Sequence, residues 1–184
     1  MEHLVYKTKK ERVQEFKDFM SGAFQGAYCD HLTEQFDAVG FFDAPASTKY
    51  HGAYAGGLCD HSLDVGRNLV LLTEKLDLAW QRKRSPYLVG VGHDLCKCDQ
   101  YIRQQDGSFH YANDLPLTGH GDKSVMLLQQ LIDLTEEEML CIRWHMGGYD
   151  DSKNWNHIGA AIEKYQTVLW THTADMMASR VHGV

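Results

Sequence analysis

Six titratable side chains fall on positions where the apolar pattern of this chain calls for core residues. His61 shares a helical face with Leu58 and Val65, and His93 and Asp94 close a segment otherwise made of Tyr, Leu, Val and Gly. His120 lines up with Ser124, Leu127 and Leu131, His145 follows Cys141 by one turn, and Asp175 continues the stripe Ala161, Tyr165, Val168, His172. Burying an unpaired carboxylate or an unsatisfied imidazole carries a heavy desolvation cost. One such residue is explained by a hydrogen bond to a backbone carbonyl. Six on five segments have one economical explanation, convergence on metal. Imidazole with carboxylate suits Fe, Mn, Zn, Co or Ni, whereas Mg and Ca prefer oxygen alone.

These residues need helices to hold them. Val13, Phe16, Met20 and Phe24 have helical spacing and predict a first helix over about Lys9 to Ala27. Asp37 to Ala55 reads as irregular. A second helix is expected from about Leu58 to Leu76, and Pro86 opens a third through Leu88, Val91 and Leu95. Asp106-Gly107, between the β-compatible arms Tyr101 to Arg103 and Phe109 to Tyr111, signals a small hairpin. A fourth helix is expected over His120 to Leu131. A fifth has Thr135 as N-cap and three glutamates in its first turn, where the helix dipole favours negative charge. A last one is expected over Ile158 to Arg180. Strands and helices do not alternate, so the fold class is all-α, a compact helical bundle with one small β-hairpin.

Composition narrows the function. At 184 residues the chain fits one domain, and 43% hydrophobic with 23% charged residues is an ordinary globular balance. A net charge of −7 leaves no basic field for duplex nucleic acid. No apolar run reaches membrane-spanning length, and the charged first residues do not resemble a secretory signal. Five cysteines without framework spacing read as reduced thiols in a cytoplasm, Cys96-x-Cys98 included. A His-Asp pair alone carries little weight. His3, His31, His157 and His182 read as solvent or boundary residues, His110 as surface, and His172 as either support for the site or plain packing.

Taken together, Gly-Gly-Leu-Cys-Asp-His61-Ser-Leu-Asp-Val, Gly-His93-Asp94-Leu-Cys-Lys97 and Ala-Asp175-Met-Met-Ala-Ser resemble the H…HD…D signature of the HD superfamily of metal-dependent phosphohydrolases. The segment Tyr50-His51-Gly-Ala-Tyr54-Ala-Gly56-Gly57 is similar to the loop that precedes the first signature histidine in many bacterial members. The resemblance runs over about 50–180, with the first helix packed on a single HD domain of 1–184. It implies a helical bundle with His61, His93, Asp94 and Asp175 around one metal ion. His120 and His145 stand where binuclear members carry further ligands, which implies two divalent ions bridged by Asp94. The HD-GYP pattern is missing: Gly148-Tyr149 is followed by Asp150, and no His-His-Glu occurs. Cyclic di-GMP is therefore not the expected substrate.

The chemistry so implied is hydrolysis of a small phosphoester, in the first instance a nucleotide, by a metal-activated water. Asp94 and Lys97 would be the catalytic pair, Lys97 reaching phosphate from one turn beyond Asp94. His51 and Lys123 are further candidates for substrate contact, each with a structural reading beside it; Arg143 and Arg180 could clamp a substrate, but solvated-face charges are the preferred reading for each. The alternative is a di-iron oxygenase of the myo-inositol oxygenase or organophosphonate type, whose ligand set and lysine look the same. The oligomeric state has no signature in the sequence.

Overall fold

The computed structural model describes residues 7–184; His3 lies outside them. The first helix, α1, spans Lys9–Met20 and starts in a capping box: Thr8 accepts from the Glu11 N–H, and the Glu11 carboxylate accepts from the Thr8 N–H. It stops well short of Ala27. Gly22 packs beneath the ring of Tyr87, where a β-carbon would come within 2.7 Å of the ring, and the chain turns there. A helix absent from the sequence reading, α2 (Gly26–Ala38), then buries Cys29, Leu32 and Phe36. Phe36 joins Phe16, Phe41 and Phe42 in an aromatic cluster with centroid separations of 5.0–5.7 Å.

The central element is α3 (Gly57–Leu76), which packs against α4 (Ser85–Gly92) more extensively than any other pair of elements. Pro86 lies in the first turn of α4, as expected. The two helices cross at Gly66 and Gly90, where a β-carbon on Gly90 would sit 2.3 Å from the Gly66 Cα. This backbone-on-backbone contact brings His61 of α3 next to His93, the C-cap of α4. The chain then makes one 3₁₀ turn, Leu95–Cys98, instead of continuing the helix to Leu95.

Strands β1 (Tyr101–Arg103) and β2 (Phe109–Tyr111) form the expected hairpin, with Tyr101 opposite Tyr111 and Ile102 opposite His110. Helix α5 (His120–Leu128) leads to α6 (Glu136–Arg143), whose Thr135–Glu138 capping box matches its sequence signal. The helix anticipated over Ile158 to Arg180 is two, α7 (Trp155–Lys164) and α8 (Thr167–Met176), followed by π-helical turns over Met177–His182. The break falls at Tyr165, which is extended (φ −137°, ψ 105°) and hydrogen-bonded through its hydroxyl to Glu136 and Gln81. Asp175 therefore belongs to α8 alone. The structure is all-α with one two-stranded sheet among the described residues, and no helix in them is long and apolar enough to cross a membrane. All five cysteines are free thiols.

Candidate metal centre

Five segments deliver the six residues to one place. His61 comes from the second turn of α3, His93 and Asp94 from the end of α4, and His120 from the first position of α5. His145 lies just beyond the end of α6, and Asp175 near the end of α8. His61, His93 and His145 have no exposed surface and Asp94 only 2%. The two oxygens of Asp94 face different histidine pairs. Oδ2 lies 3.7 Å from His61 Nε2 and 3.4 Å from His93 Nε2, while Oδ1 lies 2.8 Å from His120 Nε2 and 3.4 Å from His145 Nε2. Asp175 Oδ1 approaches His61 Nε2 at 3.2 Å. Three overlapping sets, His61–His93–Asp94, His93–His145–Asp175 and Asp94–His120–His145, each keep their ligand atoms within 4.8 Å of one another.

The rings are held by their other nitrogens. Nδ1 of His93 donates to Gly90 O at 2.7 Å, that of His145 to Ile142 O at 2.7 Å, and that of His61 to Val184 O at 2.8 Å. This assignment puts the proton on Nδ1 and leaves Nε2 a bare acceptor, the arrangement of metal-binding imidazoles. The consequence is unusual for a protein interior. Nε2 of His61, His93 and His145 and Oδ1 of Asp94 are all buried and make no hydrogen bond, the 2.8 Å approach of His120 lacking hydrogen-bond geometry. Four such atoms gathered around one buried carboxylate would be a heavy loss in a dry core. A cation among them removes it, so the donor set fits a divalent transition metal.

The fourth histidine is held differently, with Nδ1 3.4 Å from the Cys96 sulfur. Burial, reinforced by the charge of Asp94, pushes the Cys96 thiol up to about 12, so it stays protonated. Burial alone would raise the Asp94 carboxyl, yet Lys97, His93 and His120 together hold it well below the usual carboxylate range. Asp175 is likewise lowered, against burial, by His61 and His93. Lys97 ends one 3₁₀ turn with its ammonium 2.6 Å from Asp94 Oδ2; burial opposes its charge, but Asp94 outweighs this and raises its pKa.

A cavity of about 330 Å³ opens onto this cluster and is lined by Asp94, Lys97, His51, His120 and Asp175. The His51 ring lies 4.9 Å from that of His61, and its pKa is pushed down to about 4, chiefly by burial and then by the neighbouring His61 and Lys97. Lys123 is placed elsewhere. Its buried ammonium pairs with Asp99, and it lines an adjoining cavity of about 340 Å³ behind His120. His172 donates from Nδ1 to the carbonyl of His145 at 2.7 Å, so it supports the site. The sequence reading missed the outer wall of the cavity: Tyr50, Tyr101, Tyr111 and Tyr149, with Arg180 stacked 5.8 Å over the Tyr149 ring. Arg180 is thus not merely a solvated charge. Arg143 pairs with Asp122 and Asp150 and lies outside the cavity, as does the exposed Trp155.

The fold and the cluster together define a helical bundle with buried His/Asp groups that could hold metal ions. No family model matches the chain, and no solved structure matches it. Among curated proteins it is similar to the dihydroneopterin 2′,3′-cyclic phosphate phosphodiesterase of Methanocaldococcus jannaschii, at 29% identity over 146 residues. That alignment covers 77% of this chain and 54% of the relative, so the chain spans about half the length of the curated protein it matches.

Proposed function

We propose that this chain is an HD-type, metal-dependent phosphohydrolase that cleaves a small phosphoester, in the first instance a nucleotide. The observation that carries the reading is the set of four buried, unpartnered polar atoms on His61, His93, His145 and Asp94. In this reading His61, His93, Asp94 and Asp175 would hold one ion, and His120 and His145, sharing Asp94, would hold a second. Fe, Mn, Ni, Co or Zn suits these donors. When bound, such ions supply an acidified water and neutralise phosphoryl oxygens. The similarity to a phosphodiesterase supports hydrolysis over oxygenation.

The chain's own residues do the rest. Lys97 has three donors and spends one on Asp94, leaving the others for a phosphoryl oxygen in the cavity. His51 stays neutral above its lowered pKa and can take or give one hydrogen bond to the substrate without adding charge. The tyrosine-lined outer wall suits a flat ring carried by the phosphoester, because aromatic faces stack without demanding a particular base. Lys123, committed to Asp99, anchors the chain behind His120 rather than substrate. Residues 1–184 are read as one HD unit, and free thiols throughout support a reducing, cytoplasmic setting.

The test is metal analysis of untagged protein prepared without chelator, followed by phosphatase and phosphodiesterase screens on that metal form. Nucleoside monophosphates and 2′,3′-cyclic nucleotides are the first substrates. Phosphoester turnover abolished in Asp94→Ala is the expected result. Metal-free protein would sink the reading, as would oxygen uptake with a mixed-valence iron signal and no phosphoester cleavage.

A further inference from the structure

Of the three fully buried histidines at the centre, two find their Nδ1 acceptor one turn back on their own segment: His93 at Gly90 and His145 at Ile142. His61 does not. Its Nδ1 reaches the main-chain oxygen of Val184, 123 positions away, at 2.8 Å. The chain takes trouble to bring that oxygen there. After Asp175 the helix widens into π-helical turns, Met177–His182, a form that recurs at functional sites. Gly183 then adopts a left-handed conformation, φ +79°, and both its N–H and that of Val184 close on the carbonyl of Ala178. His182 pairs through Nδ1 with Asp64 Oδ2 at 2.6 Å. Asp64 lies one turn after His61 on α3, so side chain and backbone of the same short segment grip one face of one helix.

We propose that residues 182–184 are a positioning latch for the candidate metal centre: the Val184 main-chain oxygen fixes the tautomer and ring angle of His61, and His182–Asp64 and Gly183 hold that oxygen in place. The latch also screens the histidine. Gly183 and Val184 line a surface cavity of about 520 Å³, while His61 behind them has no exposed surface. The inference rests on the reading of His61 as a metal ligand. Outer-shell partners of metal-binding histidines are worth about 10–100-fold in metal affinity, and a main-chain oxygen accepting from Nδ1 is such a partner.

Three variants separate the main-chain oxygen from the side chain: deletion of Gly183 and Val184; Gly183→Val, which keeps every backbone atom but disfavours the left-handed turn; and Val184→Ala, which keeps the oxygen. Mn²⁺ and Zn²⁺ dissociation constants are measured by chelator competition, with melting of the metal-free proteins alongside. The expected result is about 10–100-fold weaker binding in the first two and wild-type binding in Val184→Ala. Independently of any variant, ¹⁵N shifts of the His61 ring in the intact metal-free protein should report a protonated Nδ1 and a bare Nε2. Wild-type affinity in a folded deletion or Gly183→Val protein overturns the latch. So does a His61 protonated on Nε2 in the intact protein, the deciding measurement should both variants fail to fold. Intact protein that binds no metal but shows the Nδ1 tautomer instead overturns the metal centre while leaving the main-chain contact standing.

Discussion

The ion pair of Asp94 with Lys97 is the most exacting test of the site's electrostatics, because both partners are almost fully enclosed. Their side chains are 3% and 9% exposed and 2.6 Å apart. At an effective dielectric of about 20, two unit charges at that separation attract by roughly 6 kcal/mol. Replacing Asp94 with Asn keeps shape and removes charge, so Lys97 is left buried without its main counter-charge. Water entry and loss of the lysine proton recover part of the deficit, leaving a cost of about 3–5 kcal/mol, typical for a broken buried pair. In a domain of this size that lowers the melting temperature of metal-free protein by roughly 6–20 °C. Lys97→Met leaves the buried Asp94 carboxylate without its closest counter-charge and should cost a similar amount. The double variant Asp94→Asn/Lys97→Met should recover much of the loss, with a coupling energy of about 2–3 kcal/mol. The assay is thermal melting of the four chelated proteins at pH 8, with metal content measured after reconstitution. The double variant must regain stability without regaining metal. A coupling below about 0.5 kcal/mol, or an Asp94→Asn protein that melts with the wild type, would refute the reasoning.

The remaining predictions concern metal, packing and pH. Adding Mn²⁺ or Zn²⁺ at 100 times its dissociation constant should stabilise the chelated protein by about 2.7 kcal/mol, seen as a higher melting temperature; an unchanged melt counts against the site. Gly90→Val forces a side chain onto the Gly66 backbone, 2.3 Å away at the β-carbon, where no rotamer gives relief. It should cost about 3 kcal/mol in urea denaturation and lower metal occupancy, since α3 and α4 carry His61 and His93. His51 titrates near 4 in the folded protein against 6.5 when exposed. The unfolded chain therefore binds the extra proton first as pH falls, and the stability tied to neutral His51 is complete above pH 6.5 and lost between 6.5 and 4. With the half-open position discounted for solvent screening, this amounts to about 1–2 kcal/mol. His51→Gln should flatten the denaturation midpoint of metal-free protein against pH in that window, and an unaltered slope would exclude His51 as its source.

What the sequence made legible follows from which interactions leave a trace in it. A polar residue on an apolar stripe is such a trace, and His61, His93, Asp94, His120, His145 and Asp175 were all read that way before the fold brought them together. Asp175 shows the limit. Its stripe was drawn through Tyr165 as one helix, whereas the chain breaks there because the tyrosine hydroxyl is tied to Glu136, a tertiary contact with no periodic signature. The missing α2 has the same origin. Cys29, Leu32 and Phe36 have helical spacing, but what separates α2 from α1 is Gly22 pressed against Tyr87, far along the chain. That Tyr50, Tyr101, Tyr111 and Tyr149 share one cavity wall left no trace, since they sit in loops, a hairpin and a 3₁₀ turn that follow no common period.

The same distinction explains why the candidate donors were easier to find than the groups that aim them. A ligand must be one of a few side-chain types, so its identity is written in the sequence. The groups that aim it need not be side chains. Gly90 O, Ile142 O and Val184 O set the tautomers of three histidines, and a main-chain oxygen is present at every position of every protein. Only where the backbone must bend unusually to present one does the sequence mark it, and here the mark is a single glycine at 183. The bare Nε2 atoms thus depend on ordinary backbone oxygens placed by helix ends. Substitutions that shift those ends, at Gly90 or Gly183, should therefore impair the candidate centre while all six of its His and Asp residues remain in the chain.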